Sequence, residues 1–146
     1  HELGTAGALS AAIYPFVKLP TAGRNIGNGK VEGGLIVPLS LAIAGTPLSL
    51  SSSPELDLVA DADGRGYHAA GAATLALGIS ASDRLSLAVE LWHGRNWDED
   101  VTRQSSLGTN ASLKLSDHVQ IDGQLDLGLT RATPDVEVAG GVSVRF

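Results

Sequence analysis

Apolar and polar residues alternate with a period of two along most of this chain. The clearest case is the C-terminal pair, His118 to Thr130 and Asp135 to Phe146. In the first, Val119, Ile121, Leu125, Leu127 and Leu129 alternate with Gln120, Asp122, Gln124, Asp126 and Thr130. In the second, Val136, Val138, Val142, Val144 and Phe146 alternate with Glu137, Ser143 and Arg145. Successive side chains of a strand point to opposite faces, so this spacing predicts strands with one apolar and one polar face. The same rhythm recurs upstream over Leu9–Leu19, Leu35–Ile43, Leu48–Leu58, Gly71–Ser80, Leu85–Trp92 and Leu107–Leu115. Pro38 has no N–H to give a ladder, so a bulge or local break is expected there. His1 to Gly7 is polar and Gly-rich and receives no assignment. About eight strands of roughly ten residues result, the length a tilted strand needs to cross a bilayer.

The connections sharpen this picture. They alternate long and short: Pro20–Lys30, Gly45–Pro47, Asp61–Gly66, Ser82–Arg84, Gly94–Arg103 and Ser116–His118, with a modest Arg131–Pro134 at the end. Outer-membrane barrels have short periplasmic turns and longer external loops. Counting back from a periplasmic C-terminus puts all three tight turns on one side. The expected fold is therefore all-β: an antiparallel up-and-down transmembrane β-barrel, as one domain over residues 1–146. A soluble sandwich would alternate as well. It would need large aromatics in its core, and aromatics are only 4% here. The membrane reading requires Leu125, Leu127 and Val144 to be uncovered, with Asp122 and Asp126 behind them.

Composition removes other classes. No apolar run approaches the roughly 18 residues of a membrane helix. The chain has no Cys, so neither disulfides nor thiolate metal sites are expected. A net charge of −6 argues against nucleic-acid binding. The chain begins at His1 and is read as a processed chain or the C-terminal part of a longer one.

Three segments resemble a known family. They are KLPTAGRNIGNGKVEGGLIVPLS (Lys18 to Ser40), LSLAVELWHG (Leu85 to Gly94) and LDLGLTRATPDVEVAGGVSVRF (Leu125 to Phe146). Together they look like the outer-membrane transporters grouped under "MetA-pathway of phenol degradation". In that family a K-L-P-T strand end precedes a Gly-rich loop containing G-N-G. A later G-L-T-x-x-x-P-D hairpin leads into a terminal strand ending in Phe. Family members are longer, so the resemblance implies the C-terminal portion of a larger barrel with a transport role.

Candidate chemistry follows from the two faces. Glu55, Asp57, Glu90, Asp122, Asp126 and Glu137 share the expected lumen face with Gln124, Lys114 and Arg145. Carboxylate rings select by charge, which suits a passive channel for small solutes, hydrophobic or aromatic ones included. The alternative is that these groups pair across strands in a filled lumen, in a non-conducting structural or adhesive barrel working through its external loops. Val142, Val144 and Phe146 resemble the C-terminal signal read by the barrel-assembly machinery; the alternative is an ordinary last strand. The expected partners are thus the outer-membrane bilayer, that machinery and a small-molecule solute. His93 shares the apolar parity of Leu91, and a Ser–His pair there would suggest lipid hydrolysis. No G-x-S-x-G element supports it, so no enzyme is expected. No metal-ligand spacing links His1, His68, His93 and His118, and neither metal nor cofactor is expected. Gly23 to Gly34 lacks G-K-[ST] and is read as an external loop. Asp98, Glu99 and Asp100 are read as a solvated loop in preference to a weak Ca²⁺ site.

Overall fold

The computed structural model describes residues 2–6, 9–23, 26–98 and 103–146, the first of these stretches by its backbone alone. Among them the chain is entirely β, and no helix is long and apolar enough to cross a membrane. The strands are β1 (Glu2–Ala6), β2 (Leu9–Ala12), β3 (Tyr14–Lys18), β4 (Glu32–Ile36), β5 (Leu39–Ala42) and β6 (Leu48–Ala60). They continue as β7 (Tyr67–Ser80), β8 (Leu85–Asn96), β9 (Arg103–Lys114), β10 (Val119–Gly128) and β11 (Val136–Val144). All belong to one antiparallel sheet, and from β6 onward each strand pairs with its chain neighbours. β11 forms one edge and β1 with β3 the other, and the two edges do not pair with each other, so the described sheet is open.

Several boundaries differ from expectation. The first stretch, left unassigned from sequence, contains β1, which pairs with β2 through a register shift between Glu2 and Gly4. The Leu9–Leu19 and Leu35–Ile43 strands are each split in two, at Ile13 and at Val37–Pro38. Pro38 does interrupt the ladder, but it causes no bulge. Leu9 faces Leu41 and Tyr14 faces Ile36, so the same register runs on both sides of the gap. Ala12 N donates to Pro38 O at 3.0 Å and Val37 N donates to Pro54 O at 2.9 Å, which holds the strand across the missing donor. β8 runs to Asn96, so Gly94, Arg95 and Asn96 belong to a strand and not to the following loop. β11 ends at Val144, which leaves Arg145 and Phe146 beyond the last strand.

The tight turns are built by short polar side chains. Thr46 Oγ1 donates to Ile43 O at 2.9 Å, and Gly45 takes the positive φ of 75° that the reversal needs. Ser82 Oγ accepts from Arg84 N and Leu85 N, and Ser116 Oγ accepts from His118 N. These three turns share one end of the sheet, here called the turn side. The longer connections at 19–31, 61–66, 97–102 and 129–135 share the opposite, loop side.

The two faces are unlike. Leu125, Leu127 and Val144 are 43%, 46% and 54% exposed. Leu56, Leu58, Leu75, Leu77, Val89 and Leu91 lie on the same uncovered face. Among the described residues only Ala60 and Ala76 are buried hydrophobics, and no large side chain is fully buried. The described residues therefore form no packed interior, and their apolar face is left uncovered. Asp122, Gln124 and Asp126 lie on the other face and are half-buried.

Candidate functional site

Pairing sets the polar wall. Along β10, Asp122 faces Ser112 of β9 and Gly141 of β11, Gln124 faces Asn110 and Ala139, and Asp126 faces Gly108 and Glu137. Directly opposed residues share a face, so the register aligns the acids of successive strands. Glu90 of β8 faces Gly108 and Ala76, and Asp57 of β6 faces Gly34 and Ala70. The sequence-predicted lumen residues Glu55, Asp57, Glu90, Lys114, Asp122, Gln124, Asp126 and Glu137 therefore fall on one side of the sheet. Arg145 lies past the last strand and is exposed, as are Lys114 and Glu137.

The wall is knitted by hydrogen bonds. Asp122 Oδ1 accepts from Ser112 Oγ and from Gln120 Nε2, both at 2.7 Å. Gln124 Nε2 donates to Asp126 Oδ2 at 2.7 Å, and Asn110 Nδ2 donates to Glu90 Oε2 at 3.3 Å. Asp57 Oδ1 and Asp126 Oδ1 are buried with no hydrogen-bond partner. Each rests against a glycine, Gly34 and Gly108 respectively, in space that any Cβ would occupy. The wall thus combines held carboxylates with two bare carboxylate oxygens.

Aromatics mark the loop side. Tyr67 and Trp97 are about half exposed there, and the Trp97 ring lies over Gly71, with the Arg95 guanidinium 5.7 Å from its centroid. Trp92 lies elsewhere. Its ring folds over Gly94 on the polar face, beside Thr74 and Ser106. Of the three residues expected to form an assembly signal, Val142 and Val144 sit on the apolar face of β11, and Phe146 is fully exposed beyond it.

The histidines scatter. His93 Nδ1 lies 2.8 Å from Ser105 Oγ across the β8–β9 pair, on the apolar side. Among the described residues no third group orients that imidazole, and Ser105 N is already donated to Thr133 Oγ1. His118 Nδ1 lies 3.1 Å from Arg145 O on the turn side. His68 meets Asp61 and Asp98, a grouping that sequence spacing did not reveal because it joins three separate elements. Glu99 and Asp100, part of the weak Ca²⁺ reading, lie outside the described residues.

The loop-side motifs also gain a structural meaning. Lys18 Nζ donates to Asn28 Oδ1 at 2.9 Å and to Glu32 Oε2 at 2.5 Å, and Asn28 Nδ2 donates to Glu32 Oε1 at 2.6 Å. The Lys of KLPT, the Asn of GNG and Glu32 therefore close the 19–31 loop upon its own strands. Glu32 Oε1 also accepts from Ala60 N, and Lys30 Nζ donates to Gly64 O, which ties that loop to the next. In the GLTxxxPD stretch, Thr130 Oγ1 donates to Arg103 O at 3.1 Å, and Gly128 leaves room for the Pro134 carbonyl. The sequence pattern of one family matches residues 5–146, and these motifs lie within the match. The chain belongs to the "MetA-pathway of phenol degradation" family. No curated protein matches it. Membership in this phenol-degradation family places the Lys18–Asn28–Glu32 brace within the matched segment. It does not name a substrate.

Proposed function

We propose that this chain forms part of the wall of a bacterial outer-membrane barrel, which acts as a passive channel or transporter for small solutes. The observation that carries this reading is the pairing of two faces. One is uncovered Leu, Val and Ile; the other is a hydrogen-bonded row of Asp, Glu, Gln, Asn and Ser. In hydrocarbon every backbone polar group must be satisfied internally, which a ladder of antiparallel strands does if its edges are closed. Lipid takes the apolar face and water the polar one. The excess of carboxylates over Lys114 and Arg145 favours cations and polar groups at the wall. Hydrophobic or aromatic solutes are the class the family name suggests. The barrel-assembly machinery would read the terminal strand with Val142, Val144 and Phe146. We further propose no enzymatic role and no nucleic-acid partner: the His93–Ser105 contact is a cross-strand hydrogen bond with no group among the described residues to activate it.

Ion conductance of the full-length protein in planar bilayers tests this. Discrete conductance steps with a preference for cations are expected. Stable insertion with no conductance would overturn the channel reading. It would favour a filled barrel that works through its loops, for which the internal bonding of Asp122 and Glu90 is the structural argument.

A further inference from the structure

Three potential metal ligands converge on the loop side. Asp61 follows the end of β6, His68 is the second residue of β7, and Asp98 lies just beyond β8. His68 Nδ1 is 2.7 Å from Asp61 Oδ1 and 3.8 Å from Asp98 Oδ2. One ligand atom from each falls within 4.8 Å of the other two. The imidazole is nine-tenths buried, at 10% exposure, while the carboxylates keep 28% and 30%. A single N–H can serve only one of two carboxylates converging on it, and His68 Nε2 is buried with no partner at all.

The backbone holds the group in place. Asp61 N donates to Gly66 O at 3.0 Å, Gly64 N donates to Asp61 O at 2.8 Å, and Gly64 takes a φ of 71°. Asp61 Oδ2 packs against Gly66, where a side chain would displace it. Asp98 N donates to Asn96 Oδ1 at 3.3 Å. The imidazole is thus fixed by burial, and both carboxylates are reachable from water.

We propose that Asp61, His68 and Asp98 bind a divalent transition-metal ion, Zn²⁺ in the first instance. One imidazole nitrogen and two carboxylate oxygens form the mixed N/O set that suits Zn²⁺, whereas Ca²⁺ and Mg²⁺ take six or more oxygens. Zn–N and Zn–O bonds of about 2.0–2.2 Å put neighbouring ligand atoms about 3.3–3.5 Å apart in a tetrahedron. The observed 2.7 and 3.8 Å bracket that spacing, so side-chain shifts of under about 1 Å bring His68 to ligand distance from both carboxylates. The ion takes the place of the proton shared between His68 Nδ1 and Asp61, leaving the ring proton on Nε2, and water fills the fourth position. Bound there, it ties the 61–66 loop to the end of β8.

The test is equilibrium dialysis of the detergent-solubilised full-length protein, stripped with chelator and titrated with Zn²⁺. Saturable binding of one Zn²⁺ per chain is expected, undisturbed by Ca²⁺ or Mg²⁺ in large excess. His68→Ala and Asp98→Asn should each weaken it by at least roughly tenfold. Asp98 lies outside the strands, so its variant keeps the test informative if His68→Ala misfolds, as read from heat-modifiable gel mobility. No saturable Zn²⁺ in the parent protein, displacement by Ca²⁺, or unchanged affinity in a folded Asp98→Asn variant would each overturn the proposal. No conductance is measured, so failure here leaves the channel reading where it stood.

Discussion

Glycines on the polar face decide how near the charged side chains can come. Gly108 stands between Glu90 and Asp126, and a Cβ there would collide with the Asp126 carboxylate. Gly108→Val is expected to destabilise by about 1–3 kcal/mol through overpacking. Gly123 offers the control: it lies on the other face of β10 with nothing within 4 Å of its missing Cβ. A lowered urea midpoint in lipid vesicles for the Gly108 variant alone would match the structure; equal effects would not. Asn28 is a second such residue. Its side chain bonds Lys18, Glu32 and the Lys30 amide, so Asn28→Ala should cost about 1–2 kcal/mol locally and speed protease cleavage within 19–31.

Strand faces govern the next scale. Leu125 and Gln124 are chain neighbours near the middle of β10, one on each face. Leu125→Arg should cost about 2–4 kcal/mol, the penalty for a cation at the centre of a bilayer, and Gln124→Arg far less. Folding yield into vesicles measures both; equal tolerance would argue against lipid on the Leu125 side. This two-sidedness was legible in the sequence because strand period is exact and the apolar set is nearly pure Leu, Val and Ile. Other features were not. β1 shows no alternation in its ELGTA sequence and is held by pairing with β2. Pro38 keeps its register because donors at Ala12 and Val37 span the gap, which no local rule could foretell. β8 outruns its expected end because Gly94, Arg95 and Asn96 find partners in Gln104, Arg103 and Ala70. The Asp61–His68–Asp98 group depends on three elements meeting, so spacing along the chain was silent about it.

At the scale of the whole molecule, the acid row acts collectively. The variant Asp122→Asn with Asp126→Asn should keep insertion while lowering cation preference, read as a shifted reversal potential under a salt gradient. An unchanged potential would mean that these acids do not face the permeation path. The two edges of the sheet carry a different implication. β11 is exposed over its full length, and its outer row of main-chain donors and acceptors has no mate among the described strands. Valine-rich and without proline, it is the kind of border that invites docking by any other extended segment. Preparations of residues 1–146 alone would consequently tend to zip together border to border, and fibril-like or paired species would be the form in which such a product is recovered.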